Sequence, residues 1–441
     1  MKRRLVRILA IVCALNLLGC AGQTPKTVAE GDGMLTEAEI NTIFGALHRT
    51  ETESDAESTE TEVLADRNQD EEIGTENKAE TSDREEVAAD SVDGVPVRYG
   101  GLFQTGEFDE NLVWTGYNDE YTELIDEMRA FCEENATGSV MLATDEEVLF
   151  AGGFNAKETD EETTVNPFTT YEIGSLTQPF MAAAILQQIQ EGNLSASDTL
   201  DKFFPDYPHG SEISVDNLLH MDSGIPDYIN DSMHFFKGRT AEGYEAFMNG
   251  QMPDEEILEF MYNAELSFEP GKKADSSNTN YYLLALILEQ VTGMPYEDYM
   301  QAYLFDMCGL ESTTCTETGN LTSMPQGNGA YMTFGRVVRG AGDMHSNVCD
   351  ILMFDRELMA GRIIDEEHLE YMTEARNGYA CGWFEAGEGS VGQYSSTDGY
   401  ICVNFIYRIE EENYYFIMMI PNGRAWALPG KTMDVLESHL N

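Results

Sequence analysis

The sequence predicts an α+β fold: one antiparallel sheet flanked by helices, with a helical subdomain inserted between its strands. Two observations lead there. Beyond residue 110, runs of period-two alternation occur near both ends, and between them lie segments with apolar residues at helical spacing. Strands at both ends around a helical insert imply a single sheet with helices packed on it. The 441 residues would allow two or three average domains. Composition shifts along the chain instead divide it into residues 1–20, 21–110 and 111–441, with one sizeable globular domain at the end.

Residues 1–20 begin with Lys2, Arg3, Arg4 and Arg7, continue through an apolar run from Ile8 to Leu18, and end in Gly19-Cys20. That order is a secretory signal, too short for a spanning helix. The Leu17-Leu18-Gly19-Cys20 ending resembles a lipobox, which makes Cys20 the expected lipidation site and the membrane an expected partner through its acyl chains.

From Glu51 to Asp93 there are 17 acidic against 3 basic residues and no aromatic one. Such a stretch buries too little apolar surface to offset its ordering entropy and is expected to be a self-repelling tether. About 85 residues of flexible coil reach roughly 50 Å, further with charge repulsion. Inside it, Thr36 to Leu47 is a short amphipathic patch with Thr36 and Glu39 spaced as a capping box.

The formal charge is -55, and residues 94–441 alone hold 59 acidic and 16 basic side chains, a difference of -43. A field of that sign opposes nucleic acid and anionic lipid surfaces. Six cysteines follow the signal: Cys132, Cys308, Cys315, Cys349, Cys381 and Cys402. Their spacings match no zinc pattern, so no metal is expected. Buried thiols and disulfides are both open, with Cys308–Cys315 and Cys381–Cys402 the first pairs to test.

Within 111–441, Leu124, Ile125, Met128 and Phe131 give Tyr121 to Cys132 helical spacing, and Gly138 to Ala143 with Glu147 to Phe154 reads as a hairpin. Helices are expected over Gln178–Gln190, Asp254–Tyr262, Asn280–Thr292 and Tyr296–Leu304, broken by Gly192, Gly271 and Gly293. Strands return at Tyr379–Phe384, Ser390–Ser395, Tyr400–Ile409 and Tyr414–Ile420, and a helix closes the chain from Thr432 to His439.

Several segments carry a resemblance. Ile173-Gly174-Ser175-Leu176-Thr177 feeds a helix; Ile213 to Leu219 leads to Ser223-Gly224-Ile225; Phe268-Glu269-Pro270-Gly271 precedes Ser277-Asn278-Thr279-Asn280-Tyr281. Gly340-Ala341-Gly342-Asp343-Met344, Gly378-Tyr379 with Gly382-Trp383, and Thr397-Asp398-Gly399-Tyr400 follow in order. Together they resemble the serine β-lactamase and penicillin-binding-protein superfamily, in its class C and esterase-like branch.

That resemblance implies a serine nucleophile assisted by a lysine three residues on, a tyrosine or serine in a second motif, and a lysine or histidine on a facing strand. All three motifs are altered here. Ser175 stands where the nucleophile belongs, but the lysine is Gln178, an amide that cannot take a proton at neutral pH. Ser175-x-x-Gln178 at a helix start is equally the pattern of a capping box. The second-motif tyrosine is Ser276 and its asparagine is Asn278, either a substrate ligand or a helix cap. In the third motif the cation is Gln393 and the glycine is Ser395, whose side chain is expected to crowd an oxyanion site made by the N–H groups of Ser175 and Ser396. Met221 stands at a position where the family usually has histidine, with His220 beside it.

Losing a general base typically costs about 10² to 10⁴ in rate. The sequence therefore points to a lipid-anchored protein of the bacterial cell surface with a catalytically impaired cleft, needing no cofactor and taking a cell-wall peptide or fragment, or a protein, as ligand. The alternative is an active esterase, D-peptidase or β-lactamase relative acylated at Ser175.

Overall fold

The computed structural model describes residues 91–92, 95–155, 165–229, 243, 246–247, 250–315, 335–396, 401–409, 411–420, 435 and 438–439. The signal, the patch from Thr36 to Leu47, the segment 397–400 and most of the helix expected from Thr432 to His439 lie outside them. Among the described residues no helix is long and apolar enough to cross a membrane.

The chain enters the domain through β1 (Gly106–Phe108) and β2 (Trp114–Gly116), passes along α1 (Thr122–Asn135), and makes the hairpin β3 (Thr137–Thr144) and β4 (Val148–Asn155). A helix-rich stretch follows. It contains the two-residue strand β5 (Tyr171–Glu172), then α2 (Thr177–Gln190), α3 (Val215–Leu219), α4 (Asp254–Asn263), α5 (Asn278–Thr292) and α6 (Tyr296–Met300). After β6 (Thr314–Cys315), β7 (Met344–Ser346), α7 (Val348–Met359) and α8 (Glu366–Thr373), the chain returns through β8 (Phe384–Gly387), β9 (Ser390–Ser396), β10 (Ile401–Ile409) and β11 (Glu412–Ile420).

The main sheet has the order β8-β9-β10-β11-β3-β4-β2-β1, antiparallel throughout, so its halves come from opposite ends of the domain. Alternation sorts its residues onto two faces. Val140, Leu142, Val403, Phe405 and Phe416 pack against Leu124, Ile125 and Met128 of α1. Met141, Ala143, Ile406, Ile417 and Met419 face the larger core with α2, α5 and α7. The fold is the α+β architecture expected.

Three expectations need correction. The folded region starts near Val95, not at 111: Tyr99 is fully buried, its hydroxyl donating to Asp350 Oδ1 at 2.7 Å and accepting from Asn347 Nδ2 at 2.9 Å. The run Tyr379–Phe384 is not a continuous strand: Tyr379 makes only isolated bridges, to Arg376 and Phe384, and a strand begins only at Phe384. Asn377 (φ 53°) and Gly378 (φ 88°) form a two-residue reversal in which Arg376 and Tyr379 bond each other's backbones. The helix from Tyr296 loosens into a π turn over Gln301–Phe305. Of the two states left open for the six cysteines, buried thiols are the one found, and neither candidate disulfide forms.

Candidate active site

Ser175 lies inside a 3-10 turn, Gly174–Leu176, that runs into α2, with Gly174 at φ 50°. The capping box with Gln178 is not made: the N-cap of α2 is Leu176, and no side chain caps it. Gln178 is turned into the protein instead, 3% exposed, where its Oε1 accepts from Gln393 Nε2 at 3.1 Å and its Nε2 donates to Ala341 O at 3.4 Å. A capping box does form elsewhere, between Ser214 and Asn217 at the start of α3.

Gln393 is used to its limit. Its Nε2 donates to Gly382 O (2.8 Å) as well as to Gln178, and its Oε1 accepts the Tyr394 N–H at 3.0 Å. Gly382 can come this close because it has no side chain. At φ 80°, a Cβ there would sit 2.7 Å from Pro179 N and 2.8 Å from the Gln178 carbonyl. Two amides thus occupy the first- and third-motif positions, bonded to each other and to backbone, and neither can hold or release a proton at neutral pH.

Ser395 completes the closure, since the Ser175 N–H donates to Ser395 Oγ at 3.0 Å. Residues two apart on a strand share a face, so Ser395 meets the turn that carries Ser175 and Gln393 meets the start of α2. Ser396 ends β9 in register with Ile401.

At the second motif, Ser276 is exposed and its hydroxyl bonds Tyr379. Burial raises the Tyr379 pKa and the Ser276 bond lowers it less, so the phenol stays protonated at neutral pH. Asn278 is neither a cap nor turned to a ligand: its Nδ2 and its N–H donate to Asp227 Oδ2 at 2.8 and 3.1 Å. The N-cap of α5 is Ser277, without a side-chain cap bond.

Met221 takes a left-handed backbone (φ 56°), and its Sδ accepts from Asn280 Nδ2 at 3.2 Å. His220 points into a different cluster. Its Nδ1 is 3.0 Å from the Asp216 carbonyl and 3.3 Å from its carboxylate, and its Nε2 is 3.6 Å from Cys381 Sγ. Burial pushes the Asp216 pKa up, but hydrogen bonds from His220, Arg376 and Tyr371 outweigh it and hold the carboxyl well below its usual range. Arg376 clamps that carboxylate with two bonds of 2.6 and 2.8 Å, anchoring the turn that carries Tyr379.

The segment 379–382 therefore touches all three altered motifs. Sequence reading did not single out Tyr379 or Gly382 as site residues, although Asn377-Gly378 is the dipeptide that such reversals require. Asp227 carried no signal at all. Among the described residues no group of three or more His, Cys, Asp or Glu is placed to hold a metal ion.

The sequence profile of the family described as Beta-lactamase matches residues 126–401, more than half of the chain. The chain belongs to the β-lactamase family. It is 26% identical over 280 residues to the putative penicillin-binding protein PbpX of Bacillus subtilis, covering 61% of this chain and 66% of that protein. To penicillin-binding protein 4* of the same organism it is 30% identical over 178 residues, 40% of this chain and only 37% of the relative. The match thus spans less than two thirds of either relative. Among solved structures, a D-stereospecific amidohydrolase from Streptomyces sp. superposes with a TM-score of 0.57 at 21% identity, covering 72% of this chain and 98% of the other. A penicillin binding protein from Bacillus halodurans does so at 0.57 and 17%, covering 72% and 99%. These likenesses establish the fold, a β-lactamase-like serine hydrolase architecture.

Proposed function

We propose that this chain is a catalytically impaired member of the family that binds a cell-wall peptide, a cell-wall fragment or a protein in the cleft beside Ser175. It is held outside the cytoplasm at the bacterial membrane through acylated Cys20 and the acidic tether. The observation that carries the reading is the amide pair Gln178–Gln393, joined at 3.1 Å where proton-transfer groups belong. A serine without an acceptor for its proton attacks a carbonyl slowly, because the alkoxide it must approach is unsupported. The phenol of Tyr379 offers no acceptor either, being neutral.

Ser175 itself remains partly exposed, and that favours the second reading, an active hydrolase acylated there. Incubation with a labelled penicillin and with a fluorophosphonate, read by intact mass, separates the two. The expected result is no adduct. A stoichiometric adduct on wild type that vanishes in Ser175→Ala would sink the impaired reading. Anchoring is tested separately by fatty-acid labelling in a bacterial host, where Cys20→Ala should release the protein unlabelled.

A further inference from the structure

The backbone N–H of Ser175 already has an acceptor, the hydroxyl of Ser395 at 3.0 Å. Ser395 is 5% exposed and held in β9 by its register with Cys402, so the contact belongs to the packed interior and not to a mobile surface chain. An oxygen at that distance fills the volume that any other oxygen accepting the same N–H would need. Nearby donors do not replace it, because both N–H groups of Gln393 are spent on Gly382 and Gln178.

We propose that Ser395 is the specificity-determining residue of the cleft: its hydroxyl stands in for a ligand oxygen at the Ser175 N–H and shuts out ligands that would place a carbonyl or tetrahedral anionic oxygen there. The proposal rests on the impaired-cleft reading but concerns oxygen recognition, not proton transfer. Ligands of this cleft are then those that bind without delivering an acyl oxygen to Ser175. Removing the Ser395 oxygen frees one strong donor that nothing else in the described site satisfies.

The probe is phenylboronic acid. Capture forms a bond from the Ser175 oxygen to the trigonal boron and breaks no bond to boron. The hydroxyl proton passes to water, and the product is a tetrahedral boronate whose anionic oxygen needs the Ser175 N–H. Wild type, S395A and S395G are titrated, with boron-11 resonance reporting tetrahedral boron. S395G is expected to bind roughly three- to tenfold tighter than wild type, the range of one net hydrogen bond. S395A should gain in the same direction, and adding Ser175→Ala should abolish the gain. If S395G does not fold, S395A decides the matter alone. Equal affinity across the three proteins, including no detectable capture by any, overturns the proposal. Boronate capture needs no leaving group and no proton acceptor on the protein. Fluorophosphonate labelling of wild type would therefore refute the impaired reading while this comparison still stood or fell by itself.

Discussion

Asp355 on α7 is fully buried beneath the main sheet, and desolvation pushes its pKa to about 8. The hydrogen bond from Asn404 Nδ2 to Oδ1, 3.1 Å long, opposes that shift only in part, and Oδ2 has no partner among the described residues. The folded protein therefore keeps this proton to a higher pH than the unfolded chain, whose aspartate ionises near 3.8. Between those two values the unfolded state binds fewer protons, so stability falls as pH rises. From pH 6 to pH 9 the loss assigned to this one group is roughly 3 kcal/mol, at about 1.4 kcal/mol per pH unit until the folded group itself ionises. Asp355→Asn keeps an acceptor for Asn404 and removes the titration. Urea unfolding of both proteins at pH 6, 7.5 and 9 measures the difference. Wild type should lose roughly 3 kcal/mol more than the variant across that range. Parallel pH dependences would refute the claim that Asp355 is protonated in the fold.

Three further outcomes follow from the same structure. His345 has neither ring nitrogen bonded among the described residues, and burial lowers its pKa to about 4. The unfolded chain takes up that proton first, so stability falls as pH drops from about 6.5 towards 4, and His345→Leu should flatten this acid limb in urea unfolding by up to roughly 3 kcal/mol. Gly382→Ala forces a side chain against the α2 backbone at positive φ, so the urea midpoint should drop by the equivalent of about 2 to 4 kcal/mol and the Gln393 side-chain amide resonances should move. Because none of the six buried cysteines is in a disulfide, reductant should leave the melting temperature unchanged; a fall would reveal a disulfide.

What could be read from the sequence was what is encoded locally. The helix Thr177–Gln190, the hairpin β3–β4 and the strands β9 to β11 each bury one face or both, and burial imprints a period that short windows capture. The misreadings share a different origin. Tyr99 looks like an aromatic at the end of an acidic coil, and only Asp350, 251 residues away, makes it core. Ser175-x-x-Gln178 is the same string whether Gln178 reaches back to the helix end or inward, and Gln393, 215 residues on, decides for inward. The sequence reads as a strand from Tyr379, while the positive φ values at 377 and 378 set a reversal just before it. The motif positions were found by resemblance, but what each altered residue does instead depended on partners far along the chain.

Those partners make the alterations interdependent. Gln178 offers an acceptor to Gln393, Gln393 passes its other N–H to Gly382, and Gly382 is close enough only because it lacks a side chain. Restoring lysine at 178 alone would place an ammonium, 3% exposed, against the Gln393 N–H with no carboxylate to receive it. Such a buried, unpaired charge costs several kcal/mol or forces the lysine neutral. A cation at 393 alone could keep the acceptors Gln178 Oε1 and Gly382 O, but the Tyr394 N–H would lose its acceptor Oε1. Each single substitution therefore leaves a charge or a donor of this network without its present partner. The two amides satisfy each other, as expected of a polar network in which every member must be satisfied together. The arrangement seen is a neutral, self-bonded pair of amides beside the turn that carries Ser175.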